Sequence, residues 1–159
     1  MPKVRATGNR GTTVPLVSLE ERARRAARLE TRAVYRQADA AFAPFSCPAT
    51  AECCQLGKTG RPPWLWRGEW LILEERLRQD GVAPQPRSDG ACPLLRDGRC
   101  SVYADRPFGC RTFFCEKIRG PGRQPVEVVN GLLERLAHVA QTLDESAEPR
   151  PLQDWLFPK

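Results

Sequence analysis

Residues 92–115 read C-P-L-L-R-D-G-R-C-S-V-Y-A-D-R-P-F-G-C-R-T-F-F-C, and this stretch decides what kind of domain the chain can build. Asp97-Gly98 is a strong hairpin signal, because both residues tolerate the positive φ that a tight two-residue turn demands. The spacing therefore predicts a short β-hairpin, with Cys92 at the open end of one strand and Cys100 just past the turn. Strands this short are marginal on their own and gain from a metal. Further on, Pro107 is placed for the first turn of a short helix that holds Cys110 and Arg111.

Outward from this stretch, the remaining cysteines are Cys47, Cys53 and Cys54, so all seven fall between 47 and 115. Clustered cysteines are explained by disulfides, by buried thiols acting as small hydrophobes, or by metal ligation. The leading residues M-P-K-V-R-A-T-G-N-R-G-T-T-V-P carry no apolar core and no small-residue cleavage site, which predicts a cytoplasmic chain in a reducing compartment. An odd number of thiols and the adjacent Cys53-Cys54 pair also fit a disulfide framework poorly. A metal or iron–sulfur site is the leading expectation, and a dithiol redox role is second. Soft thiolates select zinc, iron–sulfur clusters or copper(I) over magnesium or calcium. His138, the single histidine, sits in the last predicted helix far from the cysteines, which disfavours a His-rich hydrolytic zinc site.

Three helices are expected around this core. Ser18 opens S-L-E-E, a capping box in which Glu21 reaches back, and a helix follows to about Ala41. Its apolar positions Leu19, Ala23, Ala26, Leu29, Ala33 and Val34 are mostly small, so it is expected to lie on the domain rather than form its centre. In the second, Trp66, Trp70, Leu73 and Leu77 recur at helical spacing on one buried face, with Gly81 as the stop. The third starts at Pro125 and runs to about Leu143, with Val126, Val129, Leu133, Leu136 and Ala140 as its stripe, widened by Leu132, Val139 and Leu143. Residues 1–16 are polar and basic, which predicts a disordered arm; 17–146 form one domain with its metal-site core at 45–116, and 147–159 a C-terminal tail whose Trp155, Leu156 and Phe157 dock on it.

At 159 residues the chain fits a single domain, and its fifteen prolines and twelve glycines indicate a loop-rich middle that a bound metal would help to fix. No apolar run is long enough for a membrane span. The net charge of +6 raises the question of nucleic acid. Arg22, Arg25, Arg28, Arg32 and Arg36 form a continuous stripe on a helix, suited to phosphates but equally to a solvated face offset by Glu20, Glu21, Glu30 and Asp39. A protein partner is the stronger expectation.

The run C-P-A-T-A-E-C-C at 47–54, followed by C-P-L-L, D-G-R-C-S-V-Y and R-P-F-G-C-R, resembles the YkgJ-type cysteine-cluster family, described as a zinc- or iron-chelating domain. The resemblance covers roughly 45–116, and a similar cluster belongs to flagellin lysine N-methylases, where it is thought to hold an iron–sulfur centre. It implies a ligand role for Cys47, Cys54, Cys92, Cys100 and Cys110, with Cys53 and Cys115 as further candidates. The first half departs from the family pattern: Cys47 stands alone, with five residues between it and the Cys53-Cys54 pair, and an additional early cysteine is missing.

Four thiolates saturate a tetrahedral zinc or a four-iron cluster, so seven exceed one such site. Arg106 and Arg111 bracket Cys110 and are candidates to neutralise a negatively charged thiolate centre; pairing with Asp105 or Glu116 is the structural alternative. Tyr103 reads as a core aromatic. Glu52, Glu69 and Glu116 are available acids and bases, but no motif pairs them. The expectation is a mainly α domain with a short β-hairpin: a small, irregular cysteine-cluster domain holding an iron–sulfur cluster or a Zn/Fe ion. Its function is redox, metal handling or protein modification. The alternatives are a zinc-stabilised interaction module and a cluster-dependent modifying enzyme or its accessory subunit.

Overall fold

The computed structural model describes residues 17–48, 50–81, 83–120, 122, 124–143 and 148–159; the basic arm at 1–16 lies outside the described residues. The fold is mainly α, with two small antiparallel two-stranded sheets.

Ser18 starts the first helix, α1 (Leu19–Ala41), by accepting the Glu21 amide on its Oγ at 3.1 Å. The reciprocal half of the box is replaced: the Glu21 carboxylate turns to Arg28 at 2.8 Å. The buried face of α1 is Ala27, Thr31, Val34, Tyr35 and Ala38, whereas Leu19 is 83% and Leu29 62% exposed. The helix is thus part of the core, contrary to the sequence expectation. Its inward residues follow the same helical spacing but include a threonine and a tyrosine, which a stripe traced by leucines overlooks.

After a 3₁₀ turn at Glu52–Cys54 come α2 (Leu56–Thr59), β1 (Trp64–Leu65) and α3 (Arg67–Asp80). The hairpin β2 (Leu95–Arg96) and β3 (Arg99–Cys100), a 3₁₀ turn at Tyr103–Asp105, α4 (Phe108–Thr112) and α5 (Glu116–Arg119) follow. The chain ends with α6 (Val126–Leu143), β4 (Arg150–Pro151) and α7 (Leu152–Leu156).

α3 is the central helix. At about 100° per residue, consecutive Leu71, Ile72 and Leu73 point to different sides and enter three separate apolar clusters. Trp70, Leu73 and Leu77 keep to the expected face, against the cluster beneath the cysteines, but Trp66 departs from it, standing at the N-cap and packing on a different cluster with Ile72; Gly81 at φ +63° ends the helix. Gly68 marks where α1, α3 and α6 meet: a Cβ there would stand 2.5 Å from Thr31 Oγ1 and 2.8 Å from Val139 Cγ1. Arg135 fastens α6 to α1 through Glu30 and Gln37, each at 2.8 Å.

The hairpin forms as expected, with Leu95 opposite Cys100 and Asp97 and Gly98 at φ +47° and +73°. The C-terminal tail docks: β4 pairs with β1, the Leu152 amide donates to Pro63 at 2.8 Å, and Trp155 stacks on Trp70 with ring centroids 5.5 Å apart. No helix among the described residues is long and apolar enough to cross a membrane.

Candidate metal centre

Backbone contacts bring the cysteine-bearing segments together. The Cys92 amide donates to the Cys54 carbonyl and the Gly57 amide to the Gly90 carbonyl, both at 2.8 Å. Gly90 is at φ +68°, and a Cβ on it would meet Gly57 Cα at 3.2 Å, so only glycine permits this approach. Asp89 accepts the Ala91 amide at 3.0 Å and Arg87 Nε at 2.9 Å, and Arg87 also reaches the Leu95 carbonyl at 3.2 Å. These contacts fasten the loop to the hairpin. Ala51 enters the turn of Cys53 and Cys54 at φ +59°, a left-handed conformation that costs alanine about 1 kcal/mol.

Cys110 rides on α4, and two buried side chains hold that segment. Glu69, 1% exposed, accepts the Phe108 amide at 2.6 Å, the Trp66 amide at 2.9 Å and the Tyr35 hydroxyl at 3.1 Å. One carboxylate thereby caps α3, starts α4 and pins both to α1. Burial pushes it up to about 7, against the pull of the Phe108 and Trp66 amides, Tyr35 and Arg111. Burial and the neighbouring Glu69 also push Tyr35 up, keeping its hydroxyl a donor. Arg111, 3% exposed, pairs with Asp39 at 2.7 Å, donates to the Arg106 carbonyl at 2.9 Å and to the Ala104 carbonyl, and lies 4.0 Å above the Tyr35 ring.

One cavity of about 570 Å³ results, and Cys47, Cys53, Cys54, Cys92, Cys100 and Cys110 all line it. Five of these thiols feel one another's charge. The Cys54 thiol donates to the Cys53 sulfur, which lowers Cys53 to about 6 and raises Cys54, with burial and the charges of Cys53, Cys92 and Cys100 adding to the rise. Burial is the first cause raising Cys92, Cys100 and Cys110, and charges on the other thiols raise each further. Arg106 opposes the rise at Cys100. The cavity thus favours a thiolate at Cys53 and disfavours one at Cys54, Cys92, Cys100 and Cys110.

The remaining predicted residues divide. Cys47 lines the cavity and, like Cys53 and Cys110, is exposed; Cys115 is exposed, stands apart from that wall, and its carbonyl starts α5 by accepting the Ile118 and Arg119 amides. Arg106 lines the cavity, with its guanidinium 4.1 Å above the Tyr103 ring and 3.6 Å from Asp39. Arg111 is instead committed to Asp39 and two carbonyls, so its role is to hold the segment rather than to face the cavity. Asp39 takes the part that the sequence alternative gave to Asp105 or Glu116; Asp105 pairs with Arg32 at 2.7 Å and Arg76 at 3.5 Å. Tyr103 is 46% exposed, not a core aromatic, and His138 is exposed on α6. The arginine stripe is broken: Arg28 and Arg32 turn to carboxylates, while Arg22, Arg25 and Arg36 stay exposed.

Sequence reasoning missed the fastening role of Glu69. Its signal was a glutamate three residues after the start of the tryptophan-rich helix, the reach-back half of a capping box. Among the described residues, no group of three or more Cys, His, Asp or Glu side chains is arranged to hold a metal ion. The thiols thus share a cavity without converging on a single point. Comparison with protein-family models, with curated proteins and with solved structures gives no match for this chain.

Proposed function

We propose that this chain is a cytoplasmic metal-binding protein of the YkgJ-like kind, whose centre is an iron–sulfur cluster serving a protein partner. The carrying observation is the set of five mutually interacting thiols on one cavity wall. Cys92, Cys100, Cys110 and one member of the Cys53-Cys54 pair make the four cysteines that a four-iron cluster takes. The Cys54 thiol donates to the Cys53 sulfur, so the second member of the pair serves as hydrogen-bond donor to its neighbour. Cys47, which lines the same cavity, is a further candidate, and Cys115 falls outside this set.

A cluster is preferred to a single zinc on the resemblance to the flagellin lysine N-methylase cysteine cluster. Zinc draws four sulfurs to about 2.3 Å from one point, whereas a cluster spaces its ligands around a larger body. Arg106 fits either centre, since four thiolates leave negative charge that a neighbouring guanidinium offsets. When bound, such a group supplies one-electron transfer or a site for cluster-dependent modification. The protein's own residues contribute burial, four soft donors and an opposing positive charge. The nucleic-acid alternative loses support from the stripe arginines already engaged by carboxylates.

The test is anaerobic purification of the full chain with iron, sulfide and zinc analysis and a visible spectrum. The expected result is about four irons and four sulfides per chain, a broad visible charge-transfer band, and loss of both in Cys92→Ser/Cys100→Ser. Colourless protein with stoichiometric zinc, or metal retained unchanged in the double variant, overturns the proposal.

A further inference from the structure

The cavity has a second part that a metal does not explain. At about 570 Å³ it falls within the range of small-molecule sites, roughly 300–1,000 Å³. A centre built on metal–sulfur bonds of about 2.3 Å occupies the region of the thiols alone. Beyond the thiols the wall is apolar and largely aromatic, with Pro62, Trp66, Phe113, Phe114 and Leu133 contributing.

The mouth is marked by two aromatic residues that line the cavity yet remain solvent-accessible, Trp64 at 53% and Tyr103 at 46%. Large exposed aromatics beside a cavity are a recognition feature rather than a folding one. The strand neighbour of Trp64, Leu65, is fully buried, and Trp64 pairs with Pro151 of the docked tail, which fixes its backbone in β1.

The charged groups at this mouth are cationic. Arg106 lies over the Tyr103 ring at 4.1 Å and Arg61 over the Phe113 ring at 5.4 Å, so each guanidinium is oriented by an aromatic face. Glu69 also lines the cavity, but its oxygens are occupied by Phe108, Trp66 and Tyr35. Arg106 also donates to the Tyr103 carbonyl at 2.9 Å and stands 3.6 Å from Asp39, so an incoming anion meets an exposed guanidinium at Arg61, a shared one at Arg106 and a flat apolar wall.

We propose that this cavity binds a small planar organic anion, its ring system against Trp64 and its carboxylate or sulfonate on Arg61 and Arg106. In placing that ligand beside a metal centre the proposal rests on the preceding reading, but binding itself is separable from it. A planar body fills the aromatic walls, and paired guanidinium donors favour a charged oxygen group over a neutral one.

The experiment is fluorescence titration of the full chain, purified anaerobically and assayed for metal, with 8-anilinonaphthalene-1-sulfonate and with the neutral N-phenyl-1-naphthylamine. Saturable one-site binding of the sulfonate is expected, weakened about tenfold in Arg61→Ala/Arg106→Ala, with the neutral probe changed less than about twofold. Because Arg106 contacts the cysteine segment, the exposed Arg61→Ala alone is measured as well, and circular dichroism checks folding; it is expected to weaken the sulfonate selectively. Equal affinity for both probes, loss of both together in a folded variant, or indifference to Arg61→Ala overturns the proposal. Metal present without anion selectivity sinks this inference alone; anion selectivity without metal sinks the preceding one and leaves this standing.

Discussion

The two halves of the molecule are held by different forces. Where α1, α3 and α6 meet, side chains interlock so closely that Gly68 has no space for a methyl group, and buried Leu71, Ile72, Leu136 and Val139 fill the contact. The cysteine half is built from elements of two to five residues, from β1 and the hairpin to α4. Polar clamps at Glu69, Arg111 and Asp89 and backbone bonds across the loops order it. Dispersion and hydrophobic burial organise the first half, and directed hydrogen bonds the second. Directed bonds fix donor positions without filling the space between them, and that space is what a metal centre requires.

Glu69 belongs to both halves and tests the contrast most severely. Glu69→Ala leaves the Trp66 and Phe108 amides and the Tyr35 hydroxyl buried without their acceptor, at a cost of about 4 kcal/mol. Chemical denaturation is expected to show that loss together with a fall in metal retention, because the start of α4 and Cys110 are released at once. A loss of stability with metal content intact would mean that the halves are independent.

The pH dependence of the same group sharpens the comparison. Its folded value, about 7, lies above its ordinary 4.5, so the native state binds the proton more tightly. Its contribution is fully present below pH 4.5 and is lost as pH rises through 7. The size is roughly 3 kcal/mol over that window by linkage. Denaturant midpoints of wild type and Glu69→Gln, followed from pH 4.5 to 7.5 on metal-free reduced protein, are expected to show a downward slope in the wild type that the variant lacks. A parallel slope in both would assign it to another group.

Gly68→Ala probes the packed half alone. The added methyl meets Thr31 Oγ1 and Val139 Cγ1, and overpacking of this kind costs about 2 kcal/mol. Thermal melting is expected to register the loss while metal content per folded chain stays at the wild-type level. A simultaneous drop in metal content would show that strain crosses into the cysteine half.

Local chemistry was legible in the sequence and long-range pairing was not. Ser18, Gly81, Pro107 and Asp97-Gly98 act within a few residues, and the elements they predict are present. The tryptophan-rich helix was readable as buried, but not as buried on several sides, because a single periodic stripe cannot reveal Leu71, Ile72 and Leu73 entering three clusters. Arg111 finds Asp39, Glu69 finds Phe108, and β1 finds β4 across distances in sequence that leave no periodic trace. The cysteines show the same limit: Cys115 was a further candidate beside Cys110, yet only Cys110 lines the cavity, while Cys115 starts the following helix. Arginines next to a ligand candidate were equally ambiguous, and burial, invisible in the sequence, separates Arg111 from Arg106.

The close approach of Gly57 and Gly90 has a thermodynamic consequence for metal capture. The chain between them is a closed loop whose ends meet through a backbone hydrogen bond. Closing a loop of that length costs about 3 kcal/mol in chain entropy by the logarithmic rule. Because the fold closes it, the metal of the proposed centre would not have to. Under that proposal, donors from two remote stretches of sequence would act like donors on one short peptide, with affinity governed by bond formation rather than by the search for the second segment.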